Sequence, residues 1–533
     1  MAWDEVMRTR WPFSALVGPD PAPGTQGGDG WALLVRPALL GFVALVAITA
    51  GVAQQSSPFA LKKPGAWFFG VPAPGTVPSS RGLFLGLVAV YGGLVLLMRA
   101  WFGLSRSLSQ VPGVPVRKLV AVLALWTVPV LVAPPLFSQD VYSYAAQGEM
   151  MSHHIDPYRY GPNTLGIGAP YQPLVDPVWG NTPAPYGPFF LWIDGLLTSL
   201  SFHHELGTVV LLRLLELGGV VLLAVAVPWL ARSFRRDPGE AFALAVLNPV
   251  TILQLVGGAH NDGLMIGLLA MGLALARRGR PVAGIVLCAL ATAVKAPAAA
   301  GVIYIAWQWM GEGIPLRQRI RPLVTAGLIT LAVVGACSVV SGLGWGWVAN
   351  LGTPSTVTSW LAPATGIGIL LSHLANALGL GVARHTILSL TRLLGGLVAA
   401  VAGVWLLVRS DRLGWLRAIG LTMMLVVVLG PVVQPWYLSW GLVLVAPVAT
   451  GKARSMLIGL SIASAFIGLP GARQLLFDLL HANPLTVAVA LLACLFILTV
   501  PLTPPARRGR PDRLAGGRGL SLTGPSTVSA LRG

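Results

Sequence analysis

Charge is what this chain has least of. Asp, Glu, Lys and Arg make up 10% of its 533 residues, against about a quarter in an ordinary soluble domain. With 55% hydrophobic residues and a mean hydropathy of +0.74, a water-soluble globule is excluded. Cysteine is nearly absent too. Cys288, Cys337 and Cys494 each fall inside an apolar run, so no disulfide framework is expected. No cleavable signal peptide is expected either, because the first thirty residues carry Asp4, Glu5, Asp20 and Asp29 and a Pro/Gly-rich stretch. The net charge of +18 would ordinarily suggest nucleic acid. Here the basic residues lie in short clusters between apolar runs, as in cytoplasmic loops, and no nucleic-acid partner is expected.

Long apolar runs are what the chain does have. Stretches of roughly 17–25 residues recur along it, the length that crosses a bilayer as helix. The chain therefore reads as an all-α polytopic membrane protein of about 13–14 transmembrane helices. The spans are expected near 31–52, 82–101, 118–135, 207–230, 239–256, 262–276, 281–297, 298–312, 322–341, 386–408, 415–430, 435–450, 454–469 and 485–503. The pair from 281 to 312 reads as one broken helix or as a hairpin. Residues 1–30 form a cytoplasmic N-terminal segment, 31–503 the transmembrane domain, and 504–533 a disordered Arg/Gly/Pro-rich cytoplasmic tail lying against anionic headgroups or simply solvated. With the N-terminus inside, 26 of the 36 Lys and Arg fall in cytoplasmic segments, a strong positive-inside bias.

The same orientation sorts the remaining polar residues. All eight histidines fall in outer loops. The outer segment 136–206 carries six acids and one basic residue, and a second long outer segment covers 342–385. The working side therefore faces away from the cytoplasm.

Within 136–206, "SQDVYSYAAQG" puts Asp140 at the start of a helix, with Ser138 as its cap. An acid in a first turn is favoured by the helix dipole alone. Yet Asp140, Tyr144 and Gln147 share one helical face, and a carboxylate beside a hydroxyl and an amide suits a sugar and can accept a proton. "DPYRYGPNTL" and "VWGNTPAPYGPFFLW" add Asp156 and three flat apolar faces of the kind sugar rings rest on, Tyr158, Trp179 and Tyr186. An interfacial aromatic belt explains the Trp and Tyr as well, but not the density of Pro, Gly and acids. "GGAHNDGLM" brings His260 and Asn261 to the same surface, as ligands or as helix caps. Lys295 in "AVKAP" is an intramembrane cation, a functional residue or a snorkelling one. Arg213 and Glu216 stand three apart on one span, the spacing of a structural ion pair. "QPWYLSW" returns Gln434, Trp436 and Tyr437 to the outer surface.

These stretches, in this order between about residues 138 and 440, resemble the actinobacterial polyprenol-phosphate-mannose-dependent α-1,6-mannosyltransferases. The resemblance implies a GT-C-type bundle with a large first catalytic outer loop, here 136–206. It implies a polyprenyl-phosphate-mannose donor, a mannan glycolipid acceptor of the lipomannan and lipoarabinomannan type, inversion at the anomeric carbon, and action at the plasma membrane facing outward. Asp140 matches the family's expected base. Lys295 and then Arg392 are the candidates for holding the leaving phosphate, with His260 or Asn261 hydrogen-bonding phosphate or sugar. Trp179, Tyr186 and Trp436 are candidates for the sugar platform. Many GT-C enzymes carry a second acid close to the first, whereas Gln139 is the neighbour here; Asp156 is a candidate for that second acid. No cofactor is expected, and a divalent metal stays open. A GT-C transferase for arabinose or glucose is the nearest alternative. A polyprenyl-lipid transporter or flippase is the rival class, although no internal repeat is evident and the polar motifs cluster at one surface.

Overall fold

The computed structural model describes residues 31–54 and 80–467, together with Ser57, Phe59, Trp67 and Leu469. The expected N-terminal segment, the span at 485–503 and the tail lie outside the described residues. Among the described residues every regular element is helical. Helix α1 (Trp31–Ala53) is followed by α2 (Ser80–Gln110) and α3 (Val116–Leu131). Next come α4 (Asp140–Ser152), α5 (Pro188–Leu200) and α6 (Glu205–Ser233). α7 (Pro238–Ala245) leads into a π-helical turn, Thr251–Gly257, and then α8 (Asp262–Arg277). α9 (Pro281–Thr292) and α10 (Ala299–Gln308) precede α11 (Leu316–Ser341), α12 (Pro363–Ala377) and α13 (Arg384–Val408). α14 (Trp415–Val428), α15 (Ser439–Val445) and α16 (Gly451–Ile467) complete the described chain.

Among the described residues five helices, α1, α2, α6, α11 and α13, are long and apolar enough to cross a membrane. The π-helical turn and α8, bent by 115°, add a sixth if counted as one broken span. This corrects the expectation of uninterrupted crossings at 239–256 and 435–450, while the stretch 281–312, expected as one broken helix or a hairpin, forms two short helices, α9 and α10. Prolines at positions 281, 297, 435 and 447 stand at the starts of the short elements there, because proline has no N–H to continue a helix. Such breaks are tolerated at membrane depth where they are buried in protein or line a cavity.

Close packing is bought with glycine. On α6 a Cβ at Gly219 would come within 2.3 Å of the Gly263 carbonyl, and one at Gly267 within 2.3 Å of the Gly219 carbonyl. Gly263 and Gly267 form a small-xxx-small stripe on α8, which lets the two backbones touch. Trp126 of α3 lies in a groove over Gly41 of α1 and donates its indole N–H to the Ala38 carbonyl at 2.9 Å.

The expected ion pair between Arg213 and Glu216 is not the arrangement found. Arg213 donates to the carbonyls of Leu131 and Ala133 at the C-terminal end of α3, at 3.1 and 2.7 Å, and to that of Gly257 at 3.0 Å. Glu216 instead accepts the Leu264 backbone N–H at 2.7 Å, capping α8. Helix ends leave backbone groups without partners, and inside an apolar bundle those groups outcompete a side-chain neighbour. The Arg213 clamp fixes the chain entering α4 against the turn leading to α8.

Candidate active site

A cavity of about 360 Å³ opens where that clamp brings α4 and the start of α8 together. Its volume is within the ~300–1,000 Å³ typical of small-ligand sites. Asp140, Ser143 and Gln147 line it from α4, and Trp179 and Tyr186 from the loop before α5. Lys295 faces it from the turn between α9 and α10, and Gln434, Trp436, Tyr437 and Trp440 close the far side. Thr353, Pro354 and Val357 supply a rim from the loop before α12.

Asp140 is the first residue of α4. The Ser138 hydroxyl accepts its backbone N–H at 3.1 Å, so the turn is held without the Asp140 carboxylate. The carboxylate is left to face the cavity, 18% exposed, and its Oδ1 accepts the Trp179 indole N–H at 3.2 Å. Burial raises the Asp140 carboxyl above the usual carboxylate range, partly offset by His260, Lys295 and Trp179. A carboxylate with a raised pKa is a better proton acceptor near neutral pH.

His260 stands directly behind it. Ala259 adopts φ +52, in the left-handed region, which turns the imidazole back over Gly258. A Cβ at Gly258 would lie 2.5 Å from the ring, so only glycine fits there. Nδ1 donates to the Gln254 carbonyl at 2.7 Å, and the ring stacks on Trp436 with centroids 3.7 Å apart. Nε2 is 3.7 Å from Asp140 Oδ2.

Lys295 occupies an aromatic cage. Its ammonium lies 4.6 Å from the Tyr437 ring centre, 5.6 Å from Trp440 and 5.8 Å from Tyr186, all favourable cation–π distances. It donates to Asp262 Oδ2 at 2.8 Å and to Asn261 Oδ1 at 3.2 Å. An ammonium has three donors, so one remains for the cavity. The turn is fixed from outside, because Gly187 and Phe189 donate to the carbonyls of Val294 and Ala293 at 3.0 and 3.1 Å.

The other expected residues divide. Tyr144 is buried beneath the cavity, edge-on to Tyr186 and Phe190. The Tyr158 hydroxyl donates to the Tyr186 carbonyl at 2.9 Å, so it supports the wall without lining it. Asp156 accepts the Tyr158 N–H and pairs with the exposed Arg159, a local turn away from the lining. His260 and Asn261 are fully buried and lie behind the cavity wall, His260 against Asp140 and Trp436 and Asn261 against Lys295. Arg392 also stays behind the wall. It donates to the Thr365 hydroxyl and to the carbonyls of Ser355 and Val357, so it braces the rim loop.

Two residues were missed. Asp262, in the very string that carries His260 and Asn261, is fully buried; its Oδ1 accepts the Trp440 indole N–H at 2.5 Å while Oδ2 holds Lys295. Beside the larger effect of burial, its charge raises the Asp140 carboxyl. The third polar residue of "HND" and the last aromatic of "QPWYLSW" were the signals available. Among the described residues no group of three or more His, Cys, Asp or Glu is arranged to hold a metal ion.

A family model described as "Alpha-(1->6)-mannopyranosyltransferase, N-terminal domain" matches residues 38–311, and one described as "MptB C-terminal domain" matches 364–499. Alpha-(1->6)-mannopyranosyltransferase A of Mycobacterium tuberculosis is 34% identical over 481 residues, covering 86% of this chain and 87% of the relative. A probable alpha-(1->6)-mannopyranosyltransferase of Mycolicibacterium smegmatis is 34% identical over 472 residues, covering 81% and 84%. Alpha-(1->6)-mannopyranosyltransferase B of Corynebacterium glutamicum is 31% identical over 436 residues, covering 75% and 72%. No solved structure matches.

Proposed function

The chain belongs to the alpha-(1->6)-mannopyranosyltransferase family, and from that premise we propose that it moves mannose from a polyprenyl-phosphate-mannose donor to an α-1,6-mannan glycolipid acceptor on the outer face of the plasma membrane. The observation that carries the reading is one cavity with a carboxylate of raised pKa on one wall, a caged ammonium on another, and aromatic faces around them.

Inversion in one step needs a base at the acceptor hydroxyl and a cation at the departing phosphate. Asp140 takes the proton of the acceptor 6-hydroxyl as its oxygen attacks the anomeric carbon. The bond from that carbon to the phosphate oxygen breaks, and the phosphate gains charge facing the free N–H of Lys295. Asp262 and the three rings hold that ammonium in place, so little reorganisation is needed when charge develops. Trp179, Tyr186 and Trp436 carry the sugar rings, and Gln147 and Gln434 supply hydrogen bonds to hydroxyls.

The test is transfer from radiolabelled mannosyl-phosphoryl-polyprenol to a short α-1,6-mannoside by membranes containing the wild type or Asp140→Asn. Wild-type transfer reduced about 10²–10⁴-fold in an equally abundant variant is expected for loss of a general base. Transfer from an arabinosyl but not a mannosyl donor would overturn the choice of sugar.

A further inference from the structure

We propose that His260 receives from Asp140 the proton that Asp140 takes from the acceptor, so that the base is a dyad backed by Trp436. The inference rests on the reading of Asp140 as the base. It is carried by the hydrogen-bonding of the ring. A carbonyl only accepts, so the 2.7 Å contact with the Gln254 carbonyl places a proton on Nδ1 and leaves Nε2 of the neutral ring as a bare acceptor. Nε2 is fully buried and without a hydrogen-bond partner, facing Asp140 Oδ2 at 3.7 Å. An unpartnered acceptor buried beside an ionised carboxylate is unfavourable until a proton arrives between them.

Turnover supplies that proton. The acceptor O–H bond breaks and its oxygen bonds to the anomeric carbon, while the proton moves to Asp140. The new Asp140 O–H bond then gives way to an Nε2–H bond, restoring the carboxylate and leaving an imidazolium. The Trp436 face, stacked at 3.7 Å and 20° from parallel, stabilises that cation, and Trp436 itself lines the cavity. The charged groups around the ring are Asp140 from α4, Asp262 at the start of α8 and Lys295 from the turn after α9. With Lys295 neutralised by Asp262, Asp140 is the net counter-charge for the imidazolium. After the product leaves, the proton returns from Nε2 to the partly exposed Asp140 carboxylate and from there to solvent.

His260→Asn keeps an N–H where Nδ1 donates to Gln254, and His260→Gln keeps an amide near Nε2; neither can take up a proton. Both are compared with the wild type and Asp140→Asn in purified full-length protein matched for melting temperature. The expected result is a kcat lowered about 10–100-fold with KM for donor and acceptor within about twofold. The acid limb of the pH–rate profile shifts, because the pair that accepted the first proton has lost one of its two bases. An amide variant with wild-type kcat and an unmoved acid limb overturns the relay and leaves Asp140 as a solitary base. A raised KM at unchanged kcat overturns it in favour of substrate binding by His260. An Asp140→Asn enzyme as active as the wild type removes the base reading itself, and the relay with it.

Discussion

Helices α6 and α13 are nearly equal in apolarity and opposite in what they do with it. In α6, 56% of the apolar stretch is buried inside the protein; in α13 the share is 11%. α6 packs against α8 through Gly219, and its Arg213 and Glu216 satisfy backbone groups of three neighbouring elements. α13 presents leucines and valines outward, such as Leu397 and Val401, and touches the site only through the Arg392 brace on the rim loop. Hydropathy measures how apolar a helix is, not which solvent it is apolar for. Lipid and a packed protein interior are nearly equivalent in that respect, and glycine and paired charges distinguish them.

The comparison can be broken most severely at the glycine contacts. Gly267→Val drives a side chain into the Gly219 carbonyl, whereas Gly396→Val on α13 meets nothing within 4 Å. The first should abolish recovery of monodisperse protein on size exclusion, and the second should leave it unchanged. Next in size is Lys295→Met. Removing one member of a buried pair costs about 3–5 kcal/mol because the other is left unpaired, and Asp262 is fully buried. Low abundance and no transfer are expected, with the double variant Asp262→Asn/Lys295→Met recovering abundance but not transfer. Recovery of both would show the pair to be scaffold alone.

Smaller still is Arg392→Ala, which frees the rim loop without touching the cavity lining. A KM raised about 3–10-fold with kcat nearly constant is the expected split, since uniform binding is what a rim supplies. The smallest effect sharpens the contrast from the site side. Because burial raises the Asp140 carboxyl, its ionised form costs stability in the folded state. That cost is absent below the ordinary carboxylate pKa and complete above the raised one. At pH 7 Asp140→Asn should therefore melt at the same temperature as the wild type or slightly higher, by differential scanning fluorimetry. A clear drop would reassign Asp140 to structure.

The long apolar helices at 31–53, 205–233, 316–341 and 384–408 were legible because length and hydropathy alone specify them. The motif strings around Asp140, Lys295 and Trp436 were legible because polar and aromatic residues are rare enough in such a chain to stand out. The partners were not. Arg213 and Glu216, three apart on one helix face, read as a pair, and each bonds elsewhere because unfinished helix ends of other segments reach them. Asp262 went unread beside His260 and Asn261, since nothing local says which member of a polar triplet points at a lysine 33 positions away.

By itself, then, the sequence determined that this chain is all-helical and membrane-embedded, and its motifs identified which short stretches carry polar chemistry. Those are properties of composition and period, set by each segment's own interaction with lipid and water. Only the tertiary structure decided that Asp140 faces His260, that Asp262 holds Lys295, and that Arg392 braces a loop. Each of those contacts joins segments far apart in the chain, and backbone groups at broken helices compete for the same side chains. Burial settles that competition, and burial exists only once the helices have packed.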